Sequence, residues 1–145
     1  MNRMAVALTL LLCPALIGCV GEKRDAIEGT WRLVSGTMKT PDTTLTYSEA
    51  NLFGMKMIVA NQWAIFGRHL GGGDTSAYFG GGTYSLEGKY YTESITYNIV
   101  TSRVGRTIPF EVEVRNDTLF QKGPPGTGPH PESTWQLSEV WVRVK

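Results

Sequence analysis

From Gly29 nearly to its end, the chain alternates apolar and polar residues with the period of β-strands. The clearest stretch is Lys89–Val100. There Tyr91, Glu93, Ile95, Tyr97 and Ile99 share one face, and Tyr90, Thr92, Ser94, Thr96 and Asn98 share the other. Four of the first five are apolar against one of the second, as in an antiparallel strand buried on one side. Thr107–Arg115 repeats the pattern, setting Ile108, Phe110, Val112 and Val114 against Pro109, Glu111, Glu113 and Arg115. Asn116-Asp117 then predicts a two-residue hairpin turn into Thr118–Lys122.

The series opens at Gly29–Gly36, with Trp31, Leu33 and Ser35 on one side and Arg32 and Val34 on the other. Residues 39–47 are turn-rich around Pro41-Asp42, and Ser48–Phe53 is the single predicted helical turn, with Ser48 at its N-cap. Apolar runs Met55–Ala60 and Gln62–Arg68 hinge at Asn61, and Thr75–Phe79 and Thr83–Leu86 are set off by the glycine clusters 71–73 and 80–82. Both clusters read as turns or as a flexible lid. Neither is followed by the Lys-Ser/Thr and helix that a phosphate loop requires. Residues 123–132, rich in proline, form a loop before a last strand at Thr134–Val144. Eight or nine short strands with little helix suit a closed antiparallel barrel or a sandwich.

The first residues follow a different pattern. Arg3 precedes an apolar run from Ala5 to Leu12, the layout of a secretory signal too short to span a membrane. Leu16-Ile17-Gly18-Cys19 resembles the lipobox of bacterial lipoproteins, which implies cleavage before Cys19 and lipidation of its thiol. The expected organisation is a signal peptide over 1–18, a lipidated Cys19 with a polar tether over 19–28, and one domain over 29–145. Several acyl chains anchor firmly where one binds only marginally. Val20 rather than Asp follows the Cys, which by the same resemblance implies an outer-membrane address in a host with two membranes.

Composition narrows the function classes. Lys plus Arg number 14 and Asp plus Glu 13, and removing Arg3 with the signal leaves 13 of each. That balance argues against a nucleic-acid partner, and 41 % hydrophobic residues argue against disorder. Two cysteines and two histidines give no zinc constellation, so no metal and no cofactor are expected.

Gly29-Thr30-Trp31 on the first strand and Trp141-Val142-Arg143 on the last resemble the ends of lipocalins and their calycin relatives. In that family a basic residue from the closing strand packs over the Gly-x-Trp indole, so Trp31 and Arg143 are the expected closure pair. The segments GTWRLVSG, GMKMIVANQWAIFGR, GGGTYSLEGKYYTESITYNIV, VGRTIPFEVEVRNDTLFQ and SEVWVRVK together are similar to a small bacterial lipocalin-like domain, over residues 29–145. The resemblance implies an all-β, up-and-down antiparallel barrel of about eight strands. It supplies no catalytic residues.

An eight-stranded barrel either fills with its own side chains or holds one small ligand. All of the Trp, Tyr and Phe residues lie beyond residue 30. Glu93 interrupts an apolar face and so projects inward, where a carboxylate needs a partner or a raised pKa. Arg68, Arg103, Arg106 and the tyrosine hydroxyls are the candidate partners. Glu93, Tyr91, Tyr97, Tyr84, Trp63, Phe66, Phe110 and Arg68 are the candidate ligand-binding residues. The leading expectation is a membrane-anchored barrel binding a small apolar molecule. A packed barrel recognising an envelope protein and a cavity isomerase or cyclase are the alternatives.

Overall fold

The computed structural model describes residues 26–71, 76–124 and 135–145. The signal peptide, Cys19, residues 72–75 and most of the proline-rich loop, with His130, lie outside them. Nine strands form one antiparallel sheet: β1 (Gly29–Lys39), β2 (Thr44–Ser48), β3 (Leu52–Val59), β4 (Gln62–His69), β5 (Ala77–Glu87), β6 (Tyr90–Asn98), β7 (Thr107–Arg115), β8 (Thr118–Gly123) and β9 (Gln136–Arg143). Pairing runs β1-β3-β4-β5-β6-β7-β8-β9 and returns from β9 to β1, so eight strands close a barrel. Strand β2 is the ninth and pairs only with the upper half of β1, Ser35–Lys39, whereas β3 takes the lower half, Gly29–Arg32.

Closure rests on the expected pair. Trp31 and Arg143 are opposite each other across the β1–β9 seam, and the guanidinium carbon lies 4.1 Å from the indole centroid. Trp31 is fully buried and its Nε1–H donates to the Ile27 carbonyl at 2.8 Å. Arg143 also donates to the carbonyls of Ala26 and Glu28 and pairs with Asp117 at 3.3 Å. One guanidinium thus ties the lower end of the barrel to the chain entering it, by cation–π attraction and charge-assisted hydrogen bonds.

Two β-bulges shift the faces that simple alternation assigns. Leu33 pairs with Trp141 and Ser35 with Val140, leaving Val34 as an extra residue. After it Gly36, not Ser35, faces the core. Gly81 pairs with Tyr97 and Gly82 with Ile95, which makes Thr96 the extra residue of β6. Tyr91, Glu93 and Ile95 therefore point inward as expected, but Tyr97 and Ile99 emerge on the outside, each 47 % exposed.

Two further expectations are corrected. Ser48–Phe53 forms no helix: β2 ends at Ser48, whose N–H donates to Asn51 Oδ1 at 2.8 Å in a tight turn, and β3 begins at Leu52. The only helical turn among the described residues is a 3₁₀ turn at Thr101–Arg103. Gly80–Gly82 are neither turn nor lid but the middle of β5. A Cβ on Gly81 would lie 2.3 Å from the Tyr97 hydroxyl, and one on Gly82 would overlap the Ser94 carbonyl, so this part of the wall requires glycine for close approach.

Replacing Arg143 by Ala should lower stability by ~2–3 kcal/mol, since it removes the stacked cation and two carbonyl bonds together. Arg143→Lys should recover less than half, because an ammonium cannot stack and fork at once. Urea denaturation of the two variants checks both values.

Candidate functional site

Lys56, Glu93, Gln121 and Glu139 are buried side by side with aromatic rings in the barrel interior. Strand β3 turns Leu52, Gly54, Lys56 and Ile58 inward, which places an ammonium in the lumen at 2 % exposure. Its stem crosses the barrel so that Nζ reaches Glu93 Oε1 on β6 at 3.1 Å and Gln121 Oε1 on β8 at 2.7 Å. The rings of Trp141, Tyr91 and Trp63 surround the same nitrogen with centroids at 5.2, 5.8 and 6.0 Å. A bare ammonium in this setting would lose several kcal/mol of hydration. Two oxygen acceptors and three π-faces replace that hydration.

Glu139 forms the second half of the cluster. Oε1 accepts from the Tyr47 hydroxyl at 2.8 Å and Oε2 from Trp141 Nε1–H at 3.2 Å. Burial raises the Glu139 pKa, and its closest donors are uncharged; the Lys56 charge opposes the shift without cancelling it. Tyr47 reaches this carboxylate because of a glycine. Gly36 pairs with Tyr47 on one side and with Glu139 on the other, so the ring lies across a residue with no side chain. A Cβ there would sit 2.3 Å from the ring.

Tyr78 repeats the device, lying over Gly67 and Gly54 in the neighbouring register row. Burial first, and the Glu139 charge second, push its hydroxyl up to about 12. Tyr47 and Tyr91 are held neutral in the same way, each mainly by burial and then by the nearest carboxylate, Glu139 and Glu93 respectively.

Of the sequence candidates, Glu93, Tyr91, Tyr84, Trp63 and Phe110 are buried together in the core. Phe66 and Tyr97 lie on the outer wall, 41 % and 47 % exposed, and Arg68 is exposed beside them. They cannot line the lumen. Alternation in β4 turns Trp63 and Gly67 inward and Phe66 and Arg68 outward, while the bulge at Thr96 carries Tyr97 outside. The cation beside Glu93 is Lys56, and none of the arginines proposed for it. Lys56, Gln121, Glu139, Tyr47 and Tyr78 are the residues that sequence reading missed.

Tyr91 is fully buried, Gln121 is 1 % exposed and Lys56 2 %. These side chains therefore leave no water-sized space around themselves, and the middle of the barrel is filled. Higher up, Tyr47, Tyr78, Trp135 and Leu137 pack on the core but remain half-buried. No group of three or more metal-ligating side chains occurs among the described residues.

The architecture is lipocalin-like. Eight antiparallel strands close in up-and-down order, with Gly-x-Trp on the first and an arginine from the last over its indole. No family model matches the chain, and no curated protein does. Among solved structures, the chain is similar to a lipocalin-like protein from Bacteroides uniformis at 14 % identity and a TM-score of 0.47, over 81 % of this chain and 97 % of that one.

Lys56→Met should destabilise the protein by ~3–5 kcal/mol, because Glu93 stays buried without its counter-ion. Adding Glu93→Leu and Gln121→Leu should restore most of that loss, as an apolar core needs none of the three polar groups. Denaturant titration of the single and triple variants tests the pair.

The raised pKa of Glu139 has a defined sign. The folded protein holds this proton more tightly than the unfolded chain does, so its contribution to stability is full below the ordinary value of 4.5 and is lost as pH rises through the folded value. Glu139→Gln should therefore gain stability relative to the wild type between pH 4 and pH 7. Parallel denaturation curves at the two pH values measure the difference.

Proposed function

We propose that this protein is a membrane-anchored lipoprotein of the bacterial envelope whose barrel binds a small, mostly apolar molecule in the upper half of its interior. The carrying observation is the contrast between the two halves. The middle is closed around Lys56, whereas Tyr47, Tyr78, Trp135 and Leu137 remain half-buried above it. Apolar walls with a few fixed polar groups are the usual composition of a small-molecule site. Here the polar groups are the hydroxyls of Tyr47 and Tyr78, which donate their protons to Glu139 and to the Phe53 carbonyl, stay neutral far above physiological pH, and have oxygen lone pairs left for a guest. These acceptors favour a guest with one hydrogen-bond donor and a hydrocarbon body. The lipobox-like Leu16–Cys19 supports the anchor.

The filled middle also favours a second reading, a packed barrel that recognises another envelope protein. Crosslinking in membranes followed by pull-down distinguishes it by recovering one stoichiometric partner. The packing around Glu93 disfavours an isomerase or cyclase. Glu93 is bonded to Lys56 among side chains with no space for a substrate.

A solvent-sensitive apolar dye should bind the protein with blue-shifted emission. Leu137→Trp should weaken that binding by about tenfold, or ~1.4 kcal/mol, by filling the upper half. Glu113→Gln on the outer wall should leave it unchanged. Equal affinity for all three proteins would reject the site.

A further inference from the structure

The outer wall of the barrel is divided between two kinds of surface. On β7 and β8 the outward side chains include Glu111, Glu113, Arg115 and Lys122, an ordinary solvated face. On β3–β5 the outward positions run Phe53, Met55, Met57 and Val59, then Gln62, Ala64, Phe66 and Arg68, then Ala77, Phe79, Gly81, Thr83, Ser85 and Glu87. These fourteen positions contain one cation, near the upper end, and one carboxylate, at the lower end.

The apolar residues on this wall are contiguous. Met55 pairs with Phe66 and Phe66 with Phe79, so three large side chains form one row, with Met57 and Ala64 in the row below. Met57, Phe66 and Phe79 are 42, 41 and 48 % exposed. The row continues to Ile99, whose N–H donates to the Phe79 carbonyl, and to Tyr97, whose ring covers Gly81. A contiguous exposed apolar surface of this kind marks a contact with another phase or molecule.

We infer that this wall, centred on Met57, Phe66 and Phe79, lies against the lipid surface to which the chain is anchored, so that the barrel rests on its side on the membrane. The inference rests on the lipoprotein reading above. What selects lipid as the occupant is where the tether arrives. Glu28 Oε1 accepts from the Ala60 N–H at 3.1 Å, which fixes the incoming chain at the lower end of β3, the edge of this wall. From Cys19 to Ala26 there are seven residue steps. They span at most ~25 Å, comparable to the ~26 Å length of β3 itself. The leash therefore holds this side of the barrel within reach of the bilayer. Arg68 and Arg103, both exposed at the upper border, complement anionic headgroups there, while the carboxylates of β7 face away. Burial of apolar side chains to the headgroup boundary supplies the attraction, as for an amphipathic helix lying in the interface.

The test uses the full chain, processed and lipidated in a bacterial host, in vesicles of phosphatidylethanolamine and phosphatidylglycerol containing a nitroxide-labelled lipid. A fluorophore is attached at Ala77→Cys on the apolar wall or at Lys122→Cys on the charged one, and flotation is measured first. The expected result is that both proteins float and that lipid nitroxide quenches the label at 77 several-fold more than the label at 122. Flotation with equal quenching would overturn the wall contact and leave the anchor intact. Flotation with an unquenched label at 77 that self-quenches between copies would overturn it in favour of a second molecule of the chain. Failure to float would overturn the anchor and the wall together. Phe66→Ser with Phe79→Ser in the Ala77→Cys background should bring quenching down to the level seen at 122 while flotation persists.

Discussion

A closed barrel of eight strands has no free sheet edge along its β1–β9 seam, and in exchange it must fill a lumen that its own residues cannot leave. Here that constraint meets one ammonium. Lys56 projects from β3 into the centre, and its charge has to be satisfied where no solvent reaches. Glu93 on β6 and Gln121 on β8 supply the oxygens from the far wall, and three rings complete the coordination. The bonds therefore brace opposite walls of the barrel, and they fix which side chains occupy the middle. Such an arrangement contributes little net stability beyond that of a hydrocarbon core, but it tolerates no missing member. Above the filled centre, Tyr47, Tyr78, Trp135 and Leu137 are the less deeply buried side chains.

The upper half is organised by pairs of opposites: a ring laid over an absent side chain. Tyr47 spans Gly36, Tyr78 spans Gly67 and Gly54, and on the outside Tyr97 covers Gly81. In each case the glycine serves close approach rather than an unusual backbone angle. The result is aromatic surface held close to the backbone, with hydroxyls placed by the sheet register. Tyr47 meets Glu139 this way, and Glu139 carries the influence of Lys56 into the half of the barrel where a guest would sit.

Much of this architecture was legible in the residues. Strong alternation in β6 and β7 gave both strands, and it gave the inward direction of Glu93, because a carboxylate in an otherwise apolar series has one parity. Trp31 and Arg143 pointed to closure through their resemblance to the first and last strands of lipocalins, where a cation stacks on an indole. Lys56 was hidden for a physical reason. The outward face of β3, with Phe53, Met55, Met57 and Val59, is more apolar than the inward face, with Leu52, Gly54, Lys56 and Ile58. Hydrophobicity therefore points to the wrong side. A wall that faces something other than water is the simplest source of such an inversion. Phe66 was misassigned through the same ambiguity, and Tyr97 because a bulge at Thr96 leaves no mark in the sequence. The contact between Tyr47 and Glu139 joins residues 92 positions apart and depends on pairing that no local pattern encodes.

Strand β1 serves two neighbours on one edge, β3 below its bulge and β2 above it. The β1–β2 hairpin is consequently an annex rather than a stave: removing or lengthening its tip at residues 40–43 would not unzip the ring. Evolutionary insertions are cheapest at such a position, because lengthening a surface loop adds little closure entropy. Yet the annex contributes the Tyr47 hydroxyl to the interior. Redrafting that one hairpin would therefore change the polar lining of the upper interior, with the eight-membered cylinder left untouched.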